Sequence, residues 1–109
     1  MITIYDKGEH DEEFIEIAEP KEGCWIHVED ATTNDINQIS KLVDIEYTDM
    51  YDCLDRYEIP RVERVDENVL IFTRHPMDAE AGLYTTTFTI ILTKDYFITI
   101  CPQKSQIVE

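Results

Sequence analysis

Asp49, Asp52 and Asp55 fall three residues apart within TDMYDCLDRYEIPRVERVDENVLIF, the stretch from Thr48 to Phe72. On a helix over 49–56 that step lines the three carboxylates along one side, with Arg56 placed four residues on to relieve Asp52. Like charges at this spacing oppose the helix by roughly a few tenths of a kcal/mol per pair, so solubility alone is a poor reason for the ridge. Carboxylate oxygens are what hard divalent cations take, and magnesium commonly keeps several waters while binding one or two carboxylates. The ridge is therefore either a solvated helix face or one wall of a cation site shared between subunits. It is not an EF-hand, whose ligands step by two around a loop glycine.

The other groups that could do chemistry do not assemble in the sequence. Cys24 and His27 stand three apart in CWIHVED, which on a strand puts them on opposite faces and denies them a common metal ion. His10 and His75 fall in expected loops without partners, and Cys53 joins the apolar stripe of the helical piece as a small core residue. Three widely spaced cysteines, an odd number with no CxxC pair, fit reduced thiols better than a disulfide framework. Gly8, Gly23 and Gly82 are too scattered for a phosphate-cradling loop. No catalytic residue and no cofactor-binding motif is assigned.

Charge narrows the partners. The 109 residues hold 24 acids against 9 bases, a net charge of −15. Most of the excess lies in the first two thirds: residues 69–109 carry four acids and three bases. Such a field repels phosphate backbones and anionic lipid, which argues against nucleic acid as a partner and favours cations or basic proteins. The start, MITIYDKGEH, lacks the basic region and apolar block of a signal peptide. The apolar run TIILTKDYFITIC is broken by Lys94 and Asp95, so nothing here spans a bilayer.

The elements that must position these residues change period along the chain. MITIYD, EEFIEIAE and CWIHVED alternate as strands do, with KGEHDE a hairpin loop and Pro20 to Gly23 a turn. Helical spacing then takes over: Ile36, Ile39, Leu42 and Val43 share a stripe, with Thr33 the expected N-cap and Asp35 in the first turn. In the second helical piece Met50, Cys53, Leu54 and Tyr57 form the stripe, and Pro60 ends it. RVERVDEN and NVLIFTRH pair around Asp66 to Asn68, a surface loop covers 76–82, and LYTTTFTIILT with DYFITICP forms a hairpin through TKD. The expected fold is α/β (α+β): one domain, residues 1–109, with a mixed, largely antiparallel sheet of six to seven strands. Two to three helices are inserted between strands and pack on one face. The strand FTIILT offers Phe88, Ile90 and Leu92 to one face and Ile91 to the other. One apolar face is thus left half solvated or covered by something outside the chain.

CWIHVED, the helix opened by TTNDINQIS, MYDCLDRYEIPRVERVDENVLIF and FTIILTKDYFITIC resemble, in order and spacing, the cytoplasmic N-terminal domain of CorA-type magnesium transporters. The likeness covers about Trp25 to Cys101. It implies an α/β/α layer with a mixed sheet, incomplete within these residues, in a homopentameric channel for magnesium, with cobalt, nickel or zinc as alternatives, and a domain at the cytoplasmic face of the cell membrane. It also implies that an aspartate of the short helix before the Pro-basic-x-Glu strand binds a regulatory divalent cation between neighbouring domains. That position falls on Asp52, with Asp49 beside it; the glutamate that often precedes it in the family is Tyr51 here. The family's stalk helix, two membrane helices and Gly-Met-Asn motif have no counterpart within residues 1–109. Cation binding by this stretch alone is therefore expected to be weak or absent, and the uncovered sheet face is expected to be exposed or to pair with a second copy. The rival readings are a freestanding acidic module for a basic protein partner and a small hydrolase built on a Cys or His pair.

Overall fold

The computed structural model describes residues 1–6, 15–55, 58–79 and 82–102, with backbone alone at 75, 77–79 and 82–84. Seven strands form one sheet in the order β2-β1-β3-β7-β6-β5-β4. They are β1 (Ile2–Asp6), β2 (Ile15–Ile17), β3 (Cys24–Val28), β4 (Arg61–Val65), β5 (Asn68–Ala79), β6 (Gly82–Leu92) and β7 (Tyr96–Ile100). Every pairing is antiparallel except the central one, β3 with β7, where Ile26 faces Ile98 and Val28 faces Ile100. The helices α1 (Thr33–Val43) and α2 (Tyr47–Met50) and a 3-10 segment (Tyr51–Leu54) fill the crossover from β3 to the far edge at β4. An antiparallel trio, β2-β1-β3, thus meets the meander β4-β5-β6-β7 at one parallel pair, and only a long connection can join parallel neighbours.

The helices cover one face. Ile36, Ile39, Ile45, Met50 and Cys53 pack on Ile26, Val28, Leu70, Phe72, Ile91 and Ile98 to make the core. The strand period then sends Phe88, Ile90 and Leu92 to the other face, where the described residues supply no helix. Across that face the register sets Tyr5 beside Trp25, Trp25 beside Phe97, Phe97 beside Leu92 and Leu92 beside Val69. Leu92 and Phe97 are 40% and 43% exposed.

Four sequence expectations are corrected. The N-cap of α1 is Thr32, not Thr33: its hydroxyl accepts from the Asp35 amide and the Asp35 side chain accepts from the Thr32 amide. This capping box satisfies two of the open helix donors at once. The piece over 49–56 is not one helix. α2 ends at Met50 and the chain tightens to a 3-10 turn, whose i, i+3 eclipse sends both Met50 and Cys53 inward, each 0% exposed. Of the surface loop expected over 76–82, the described residues 76–79 and 82 are strand, and His75 is too: β5 and β6 pair from Val69–Leu92 out to Ala79–Gly82. Pro76 is tolerated because β4 pairs with β5 only as far as Phe72, so that among the described residues no strand pairs with the outer edge of β5 at the proline. The turn between β4 and β5 is Asp66 and Glu67, with Asn68 already in β5. KGEHDE with His10, and the pair Arg56 and Tyr57, lie outside the described residues.

Candidate functional site

Asp52 sits in the 3-10 segment with its side chain 47% exposed, and its Oδ2 accepts from Arg61 Nη2 at 2.7 Å. Arg61 opens β4 on the helix-covered side of the sheet, directly opposite Phe72 in the register. Its guanidinium lies 4.2 Å from the centroid of the Phe72 ring, a cation–π contact with a buried aromatic. Nε donates to Glu63 Oε1 at 2.5 Å and Nη1 donates to Glu58 Oε1. Glu63 is two residues along the same strand and so shares its face. Glu58 is anchored from β6, its amide donating to Thr87 Oγ1 at 3.0 Å. The Glu63 hydrogen bond and the Glu58 carboxylate hold the Arg61 pKa above its ordinary value, outweighing partial burial. One cation is thus shared by three carboxylates.

The acidic ridge exists only in part. Asp49 is exposed on α2, Asp52 belongs to the 3-10 segment, and Asp55 lies past its end in extended backbone. Arg61 pairs with Asp52, whereas the pairing expected of Arg56 lies outside the described residues. The place of Arg61 at the start of the Pro-basic-x-Glu strand was the available signal, but a contact across nine residues has no local period to announce it. Among the described residues, no group of three or more His, Cys, Asp or Glu side chains could hold a metal ion. A cation at Asp52 would therefore draw one or two carboxylates from this chain and its other ligands from water or a neighbour.

The other chemical candidates resolve as structure. Cys24 points into the core and His27 out of the opposite face of β3. The Trp25 indole donates to Thr99 Oγ1 at 2.9 Å, and that oxygen stands 2.7 Å from His27 Nδ1. On the other side of the ring, His27 Nε2 lies 3.8 Å from Glu29 Oε1. Burial lowers the His27 pKa, against the raising effect of Glu29. Burial pushes the Cys53 thiol up to about 12, so it carries no thiolate for nucleophilic work near neutrality. Cys24, Cys53 and Cys101 are all free and buried. A cleft of about 470 Å³ lies at the end of the sheet between Asp44, Asp66, Glu67 and Asp95 and does not include Asp52.

Residues 20–109 match the model of the family described as CorA-like Mg2+ transporter protein. The chain belongs to that family. The complete CorA magnesium transporter from Methanocaldococcus jannaschii has a similar fold, with a TM-score of 0.81 and 23% identity over 99% of this chain and 34% of that one. The soluble domain of CorA from the same organism matches at a TM-score of 0.76 and 25% identity, over 99% of this chain and 43% of that one. This chain thus spans well under half the length of either CorA chain. A search of curated proteins finds no match. Among the described residues, no helix is long and apolar enough to cross a membrane.

Proposed function

We propose that residues 1–109 are the cytoplasmic N-terminal domain of a divalent-cation transporter, and that the domain senses intracellular magnesium at the boundary between subunits. The family match over residues 20–109 carries this reading. Asp52, with Asp49 nearby, is the proposed ligand position; cobalt, nickel or zinc are the alternative ions. The half-exposed Asp52 carboxylate and the surplus of acids suit a hard cation that keeps most of its water and bridges two chains.

In this mechanism a ring of subunits, five in the family, brings acidic faces together. A bound cation offsets their repulsion and stabilises the closed ring. When the ion leaves, repulsion loosens the ring and the pore opens, a population shift driven by the cation's preference for the closed form. The sheet face bearing Trp25, Leu92 and Phe97 is the second contact surface, for helical segments of the longer protein or for another copy. No enzymatic step is assigned.

The test is limited proteolysis of the full-length transporter with and without magnesium. Asp52→Ala should reduce the protection that magnesium gives. Unchanged protection would remove Asp52 from the sensing role.

A further inference from the structure

We propose that Arg61 is a built-in competitor for the cation at Asp52, a positioning residue that sets the concentration at which the site fills. The inference rests on the reading of Asp52 given above and concerns what controls it. Three observations carry it. Arg61 already occupies one oxygen of Asp52, at 2.7 Å. It is fixed without Asp52, because Glu58, Glu63 and the Phe72 ring hold the guanidinium from other directions. Asp52 is also the most exposed of the three carboxylates, at 47% against 17% for Glu58 and 39% for Glu63.

Exchange is consequently one-sided. Asp52 can turn to a hydrated cation while Arg61 keeps two carboxylates and its ring, so no buried charge is stranded when the pair opens. Arginine stays protonated throughout the biological pH range, so this competitor does not titrate away as histidine would. The threshold it sets then depends on cation concentration and scarcely on proton concentration.

Limited proteolysis of the full-length transporter across a magnesium chloride titration, at ionic strength held constant with potassium chloride, reads this out. In Arg61→Gln the magnesium concentration giving half-maximal protection should fall about fivefold, the scale of a partly exposed ion pair. Arg64→Gln removes the same charge from the opposite face of β4 and should leave the value near that of the unaltered transporter. Arg61→Lys, which keeps the charge but not the fork, should shift it less than Arg61→Gln and stands in if the glutamine variant does not fold. An equal fall in Arg64→Gln, or none in Arg61→Gln while Asp52→Ala still reduces protection, overturns the role of Arg61 and leaves the Asp52 site standing. Protection by magnesium that is unchanged in Asp52→Ala overturns both.

Discussion

Arg61 and Asp52 are nine residues apart and belong to different elements, which is why the contact that matters most at the candidate site could not be read from spacing. Where a single period governs, the residues were legible: the alternation of β3 separates Cys24 from His27, and helical spacing buries Ile36 and Ile39. Two expectations belong to this scale. Asp44 follows α1 in the left-handed region, φ 56°, and adds a negative charge at the helix C-terminus. Both features disfavour it, so Asp44→Gly should raise unfolding stability by about 0.5–1 kcal/mol in a urea melt; a loss would refute the argument. His27 has a folded pKa below its ordinary value near 6.5 because it is buried. Below that pH the unfolded chain takes up a proton that the folded chain refuses, so stability falls as pH drops below about 6.5 and levels off beneath the folded pKa. His27→Gln should flatten that limb of the stability–pH profile, and an unchanged slope would show that other groups produce it.

The short helical piece shows how packing overrode a repeat at the level of elements. Asp49, Asp52 and Asp55 suggested a continuous ridge, yet Met50 and Cys53 are the residues whose burial fixes the backbone. A 3-10 turn brings them to the same side, and the ridge is cut at Asp55, where the chain has left the turn for extended backbone. Met50→Ala should therefore lower stability by about 2–5 kcal/mol through the cavity it leaves under α2. Chemical denaturation measures this, and a loss below about 1 kcal/mol would show that the site collapses around the smaller side chain. The β5–β6 hairpin was misread because Pro76 signals a break only where both strand edges are paired. β5 outlasts its outer neighbour β4, so the proline sits where, among the described residues, no strand pairs with the outer edge.

For the whole molecule, the mixed antiparallel sheet, the helices inserted between β3 and β4 and their packing on one face were all legible. The order of strands, apolar alternation and a change of period constrain them. The parallel β3–β7 pair at the centre was not, since it joins segments that no short turn connects. Neither composition nor periodicity said which face the helices would take; the structure gives them the Ile91 side and leaves Leu92 and Phe97 open. Leu92→Asp should consequently change the stability of this chain by no more than about 0.5 kcal/mol, while weakening assembly of the full-length transporter as read by sedimentation. A large loss in the isolated chain would mean that Leu92 is already packed within it.

The claim that a cation joins two chains at Asp52 is tested most directly by crystals of the full-length transporter grown with cobalt and measured at its absorption edge. An anomalous peak is expected beside the Asp52 carboxylate, in reach of an acidic residue of the adjacent subunit, with Arg61 turned to Glu58 and Glu63. Cobalt found elsewhere in the assembly, with Asp52 still paired to Arg61 and no peak near it, would contradict the account.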